Sequence, residues 1–234
     1  MSLIREILVT DLNKIALWWL RSRRITPPGN QVVCVNLGSG IHPAADWINV
    51  DSAWYALAAS LPRPVMRLVY RLSSSNLQIS FEDYISKLRA NRYVFHNLEH
   101  SVPFIDNCVD FVYSSHSLEH LPVRHAEHLC REVFRVLKPG GVFRACVPDL
   151  KIACQEYANG HTQAALILLL GSAEPTYYAA HKWMYDTETM TGVLRAAGFV
   201  NISEKGFRQG ATPQLAELDN YEGVTLRIEA TKPS

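Results

Sequence analysis

Three residues in the stretch YSSHSLEHLP have the types and spacing to do chemistry: His116, Glu119 and His120. They fit H-x-x-E-H, in which two histidines hold a zinc ion and the glutamate works as a base. That use requires both histidines on one helical face and a further ligand downstream. A second group lies earlier in the chain. Gly38-Ser39-Gly40 follows one apolar run, and Asp51 closes the next. Glycines directly after a strand let backbone N–H groups approach a ligand where a side chain would block it. An acid at the neighbouring strand tip can accept both hydroxyls of a ribose, so the pair points to a nucleoside-containing cofactor.

The loop also narrows the cofactor. A dinucleotide fingerprint G-x-G-x-x-G needs its third glycine at position 43, where close helix–strand packing is required, and Pro43 stands there. A P-loop ends in G-K-[ST], which Ile41-His42 does not match. What remains is a loop suited to a nucleoside but without the features that cradle phosphates. S-adenosylmethionine is such a ligand. Taken alone, the two glycines also fit a plain tight turn.

These residues need elements to position them. QVVCVNLG, WINVD, YVFHN, VDFVYSS, VFRACVP and GVTLRIEA are short runs, most of them β-branched-rich, that read as strands. The segment from Pro122 to Gly141 reads as a helix. Pro122 suits its first turn, Ala126, Leu129, Val133, Val136 and Leu137 share a face, and Lys138-Pro139-Gly140 stops it. TETMTGVLRAAGF reads as a second helix, closed by Gly198. Strands alternating with helices imply an α/β fold with a mostly parallel sheet. Since VDFVYSS is strand-like and Pro122 starts a helix, His116 to His120 fall on the loop between them. That loop lies at the carboxyl end of a strand, where open α/β sheets bind ligands. The expectation is therefore no metal.

The predicted layout has an N-terminal amphipathic helix and linker over residues 1–27, then a domain over 28–234 with long insertions at about 53–91 and 150–182. The insertions are candidates for lids and substrate walls. In the first segment Ile4, Ile7, Leu8, Ile15, Trp18 and Trp19 form one stripe beside Arg21, Arg23 and Arg24. A helix packed on the domain or a weak membrane-surface contact both fit that stripe.

Composition excludes several classes. With 48% hydrophobic and 19% charged residues, the chain reads as globular rather than disordered. A net charge of +1 and the lack of a long basic run argue against a nucleic-acid partner. The five cysteines form no C-x-x-C pair, and Cys34 and Cys146 sit in apolar runs. Buried free thiols in a reducing cytoplasm fit better than disulfides or a zinc knuckle. The N-terminus carries Arg5, Glu6, Asp11 and Lys14 where a signal peptide needs an apolar run.

The segments VNLGSG, NVD, HNLEHSVPFIDNCVDFVYSSHSLEHLP, EVFRVLKPGGVFRACVPDL and HKWMYDTETMTGVLRAAGF, in that order, resemble class I S-adenosylmethionine-dependent methyltransferases. The particular likeness is to small bacterial ones often associated with polysaccharide and surface-glycan synthesis. The resemblance implies a Rossmann-like, seven-stranded, mostly parallel sheet with the last strand inserted antiparallel and helices on both faces. It implies that Gly38 and Gly40, with Ser39 between them, pack under the methionine part of the cofactor, and that Asp51 takes the ribose hydroxyls. Asn97 and the backbone of Leu98 would meet the adenine, and Ser114, Ser115 and His116 would line the cleft beside the sulfonium. Two departures stand out. The family's first motif usually begins with an acid, where this chain has Asn36, and only ten residues separate Gly40 from Asp51, so the first crossover helix must be short or replaced by a turn.

For methyl transfer to a hydroxyl of a sugar or other small-molecule acceptor, a neutral imidazole can remove the proton as attack proceeds. His116 is the first candidate, and His181 in HKWMYD the second. Glu119 and His120 are expected to tie the loop to the next helix. Tyr178, Trp183 and Tyr185 could wall the acceptor site. A non-catalytic cofactor-binding or assembly protein, and a zinc hydrolase using His116, Glu119 and His120, are the competing functions.

Overall fold

The computed structural model of the protein describes residues 20–29, 31–40, 42–58, 61–72, 79–172 and 180–234. The N-terminal stripe from Ile4 to Trp19, and Tyr178, lie outside them.

Seven strands form one sheet in the order β3-β2-β1-β4-β5-β7-β6. They are β1 (Cys34–Leu37), β2 (Ile48–Asp51), β3 (Arg92–Phe95), β4 (Val109–Ser115), β5 (Leu137–Pro148), β6 (Val200–Glu204) and β7 (Thr225–Thr231). The pairs β1–β2, β2–β3, β1–β4 and β4–β5 are parallel. Only β7 runs against its neighbours, paired antiparallel to both β5 and β6. The Rossmann-like sheet implied by the resemblance is thus present. Six of its strands were readable as sequence patterns. The missed one is β6, whose residues are exposed or half-exposed and carry no apolar alternation.

Helices follow the strands. After β2 come α1 (Trp54–Ala58), α2 (Arg63–Leu72) and α3 (Phe81–Ala90). The Ser80 hydroxyl caps α3 by accepting the Asp83 N–H. Next are α4 (Val123–Val136) between β4 and β5, α5 (Leu150–Ala158) and α6 (Thr162–Leu170) after β5, α7 (Thr187–Ala196) before β6, and the short α8 (Leu215–Leu218) before β7. The capping box of Asp186 and Thr189 starts α7, and Gly198 at φ +104° follows its end. Helix α4 begins after Pro122 as expected but ends at Val136, because Leu137 already pairs with Val109. Between β1 and β2 no helix occurs among the described residues, consistent with the short spacing.

The main core gathers Val35, Leu37, Val50, Val112 and Val147 from the sheet with Leu129 and Val133 of α4 and Leu194 of α7. A second cluster, Tyr55, Met66, Tyr84, Ile85, Leu88 and Phe95, packs α1 to α3 onto β3. All five cysteines are free; Cys146 and Cys130 are buried, but Cys34 is half-buried, its thiol pushed up to about 11 chiefly by burial. Of the predicted wall residues, Tyr185 is core at 2% exposure and Trp183 faces outward at 47%.

Candidate active site

The carboxyl ends of β1, β2, β3 and β4 lie side by side, so residues far apart in sequence meet along one edge. A cavity of about 950 Å³ opens there. Asn36, Gly38, Ser39, Gly40, Ser115 and His116 line it, as read from the sequence. Asp51, Asn97, Leu98, Ser114 and His181 are not among its lining residues.

The two glycines differ in purpose. Both have positive φ, +67° at Gly38 and +55° at Gly40. A Cβ on Gly38 would meet the Ser117 Oγ of the loop after β4, so glycine is required there by a protein neighbour. A Cβ on Gly40 would meet nothing within 4 Å, which leaves that backbone bare at the cavity. The Gly40 N–H donates to Asp51 Oδ2 at 2.9 Å and the Ala53 N–H donates to Oδ1 at 2.9 Å. Asp51 therefore anchors the glycine loop to the tip of β2 and sits behind it. The same carboxylate is also hydrogen-bonded to the Tyr55 hydroxyl. The Tyr55 hydroxyl is held protonated by burial first and then by its contact with Asp51.

Asn36 stands where the resembling family carries an acid, and its neighbour on β2 explains the amide. Asn36 Nδ2 donates to Asn49 Oδ1 at 3.1 Å, and that oxygen also accepts the Ala44 N–H at 2.8 Å. A carboxylate at position 36 has no proton to donate. Beyond β3, Asn97 Oδ1 accepts the Glu99 N–H in a local turn, and Leu98 is part of the core. His96, fully buried, donates its backbone N–H to Asp51 O at 2.9 Å and so fastens the tips of β2 and β3 together.

At the tip of β4 the chain turns sharply. His116 has φ +49°, a left-handed conformation that non-glycine residues rarely adopt and that clusters at functional sites. Leu118–His120 then forms one 3-10 turn before Pro122. His116 and His120 thus do not share a helical face, which removes the H-x-x-E-H geometry as the sequence would write it. The His116 ring meets Tyr221 edge-on at 4.8 Å. Its Nε2 lies 3.0 Å from Thr225 Oγ1 and its Nδ1 3.3 Å from Glu119 Oε1. His181 is turned away from the cavity: its Nδ1 is 2.8 Å from Leu168 O, its ring faces His120 at 5.0 Å, and burial lowers its pKa.

The sequence reading missed the far wall. Gln214, Glu217, Leu218, Asn220 and Tyr221 come from the segment between β6 and β7. Two buried arginines hold that segment. Arg144 on β5 donates to both oxygens of Asp219, to Gln209 O and to Gly206 O. Arg227 on β7 donates to Asn220 O and Tyr221 O. The only available signal was length, since some 20 residues join two neighbouring antiparallel strands.

The lining suits a nucleoside bearing an amino acid better than a phosphorylated one. It offers bare backbone at Gly40, amides at Asn36 and Asn91, and Lys87 as the one lysine or arginine among the described lining residues. Fold and site together define an α/β protein with a nucleoside-type pocket at the switch point of its sheet. Residues 58–145 match the family model of a methyltransferase domain. The glycine loop and Asp51 precede the matched span. A demethylmenaquinone methyltransferase from Geobacillus sp. (strain WCH70) is 24% identical over 155 residues, which cover 59% of this chain and 62% of that protein, so less than two thirds of the relative is spanned. Among solved structures, a Thermotoga maritima protein described as a possible histamine N-methyltransferase is 18% identical, with 94% and 95% of the two chains covered and a TM-score of 0.49. Human N-acetylserotonin methyltransferase in complex with S-adenosylmethionine is 12% identical, with 99% of this chain and 54% of that chain covered at a TM-score of 0.49. The domain match over residues 58–145 and the sheet order support the resemblance to class I S-adenosylmethionine-dependent methyltransferases stated above. S-adenosylmethionine is the cofactor such a domain uses.

Proposed function

We propose that the protein is an S-adenosylmethionine-dependent methyltransferase of a small hydroxylated acceptor, and that it methylates oxygen. Residues 28–234 form the catalytic domain in this reading, and residues 1–27 are an appendage to it. When bound, S-adenosylmethionine supplies an electrophilic methyl group on a sulfonium. Asn36, Ser39, Gly40 and Asp51 hold its amino-acid and ribose parts, Asn97 and Leu98 flank the adenine, and Ser114 and Ser115 close the cleft at the tip of β4. His116 faces the acceptor. It takes the hydroxyl proton at Nε2, in place of or relayed by the Thr225 hydroxyl, while Glu119 lies against Nδ1. Tyr221, Asn220 and Gln214 supply polar contacts that suit a sugar or comparable polyol better than a bare hydrocarbon ring.

The observation that carries this reading is the position of His116, which lines the same cavity as bare Gly40 and has a buried carboxylate 3.3 Å behind it. The pairing of Asn36 with Asn49 accounts for an amide where the resembling family carries an acid. The test has two parts. Calorimetry should find one site for S-adenosylhomocysteine per chain; no heat at millimolar ligand would end the proposal. Incubation with a methyl-labelled donor and fractionated small-molecule and glycan extracts should then yield a labelled methoxy group by NMR. A label on carbon or nitrogen would reject the oxygen acceptor while leaving the methyltransferase intact.

A further inference from the structure

Glu119 is fully buried, and among the described residues neither of its carboxylate oxygens has a hydrogen-bond partner. A buried ionised carboxylate needs a cation or several donors. Its nearest charged-capable neighbours are imidazole nitrogens, His116 Nδ1 at 3.3 Å and His120 Nε2 at 4.0 Å. The backbone around it is firmly held, since Lys182 and Trp183 both donate their N–H to Glu119 O at 2.7 and 3.3 Å. The segment carrying His181 is thereby stitched to the turn carrying Glu119 and His120.

The two imidazoles on this side are already oriented. His120 Nδ1 is 3.3 Å from Ala180 O and His181 Nδ1 is 2.8 Å from Leu168 O. A carbonyl oxygen only accepts, so each Nδ1 carries a proton and, in the neutral ring, each Nε2 keeps its lone pair. An imidazole tied through one nitrogen to a backbone carbonyl, with the other nitrogen free, is the arrangement found around metal-ligating histidines. Potential ligand atoms of Glu119, His120 and His181 all lie within 4.8 Å of one another. Bonds of about 2.0–2.2 Å in a tetrahedral site place ligand atoms about 3.4 Å apart, so side-chain torsions must draw these three inward by about 1 Å.

We propose that Glu119, His120 and His181 bind one divalent transition-metal ion of the zinc type. Two imidazoles and a carboxylate suit zinc and its neighbours, and leave a fourth position for water. The ion clamps the loop after β4 to the segment leading into α7, three residues from His116. It also supplies a positive charge beside Glu119, whose ion-pair neighbours among the described residues are His116 and His120. His116, the first histidine of the H-x-x-E-H string, is not a ligand, and His181, 62 residues from Glu119, takes its place. The site stands whether or not methyl transfer is the activity.

The test uses the full chain, stripped with chelator and dialysed. Titration with Zn(II) should show one ion bound per chain at micromolar affinity or tighter, and Co(II) should give visible absorption bands of low-coordinate nitrogen–oxygen ligation. His120→Ala and His181→Ala should each weaken Zn(II) binding roughly 100-fold or more, with circular dichroism confirming that they fold. His125→Ala, an exposed histidine outside the cluster, should bind as the parent does. Absence of stoichiometric binding in the parent, or unchanged affinity in the His120→Ala/His181→Ala double variant, would overturn the proposal. Calorimetry with S-adenosylhomocysteine on the same stripped protein reports separately on the methyltransferase reading.

Discussion

Asp219 and Glu119 are both buried carboxylates beside the same cavity, yet their surroundings are opposite. Asp219 accepts from Arg144 Nε and Nη2 and from the Arg208 N–H, with Arg227 Nε 3.5 Å away. The Glu119 carboxylate accepts nothing by hydrogen-bond geometry among the described residues, and its neighbours in ion-pair range are the imidazoles of His116 and His120. The first is what burial of a negative charge for architecture looks like: every lone pair is directed at a fixed donor, and the far wall of the cavity hangs from it. The second is surrounded by groups that can gain or lose a positive charge. A carboxylate held that way costs folding energy unless a cation arrives, which is the mark of a site kept for chemistry rather than for the fold.

The largest effect should come from breaking the saturated member. Asp219→Ala strips Arg144, at 0% exposure, of its two-point carboxylate partner and leaves only Glu229 Oε1, 3.3 Å from Nη1, to balance the buried charge. A loss of about 3–5 kcal/mol is expected in urea denaturation, and a loss under about 1 kcal/mol would mean that the wall is not held by this pair. The unsaturated member should answer differently. Glu119→Gln removes a buried charge that the fold does not pair, so the metal-free protein should keep or gain stability where Asp219→Ala loses it. Turnover should fall more than tenfold with KM little changed, because His116 loses its backing carboxylate. His116→Ala should cost roughly a hundredfold in kcat, as expected for removal of a general base. If Glu119→Gln instead unfolded the protein and spared turnover in whatever remained folded, the contrast between the two carboxylates would collapse.

Their legibility in the sequence follows the same division. Gly38-Ser39-Gly40, Asp51 and the Pro122 start of α4 were readable because each acts locally, through backbone freedom, a strand tip or a fixed φ. The loop placement of His116 followed from VDFVYSS and Pro122 alone. Asp219 was not readable, since its partner Arg144 lies 75 residues away on β5 in a strand that reads as plainly apolar. Nor was the partnership of His181 with Glu119, which depends on the packing of the segment after α6 against the loop after β4. Asp51 was recognised as a strand-tip acid, but its bonds to Gly40 and Ala53 depend on loop geometry that no residue pattern encodes.

His96 sharpens the comparison with a buried group that is neutral. Its Nε2 lies 2.9 Å from Ser101 Oγ and its Nδ1 has no partner among the described residues. Burial, aided by Arg24 and His100, lowers its pKa from 6.5 to about 4. Between those values the unfolded chain binds more protons than the folded one, so stability falls as pH falls. The contribution is complete above pH 6.5 and lost as pH drops through about 4, amounting to about 3 kcal/mol. Urea titrations between pH 7 and 4 should show that slope, and His96→Gln should flatten it.

The smallest effect tests saturation where it bears on the cofactor edge. Asn36→Asp restores the acid of the resembling family but removes the only proton that position 36 can give to Asn49 Oδ1, and sets two acceptors face to face at 4% and 0% exposure. A stability loss of about 1–2 kcal/mol is expected from the unsatisfied pair. Affinity for S-adenosylhomocysteine should not improve, because the added charge is spent against Asn49 rather than offered to the cavity. The double change Asn36→Asp/Asn49→Ser separates the two effects: with the opposing carbonyl gone, stability should recover part of the loss and affinity should rise severalfold. Equal affinity in the parent, single and double variants would mean that position 36 does not touch the cofactor.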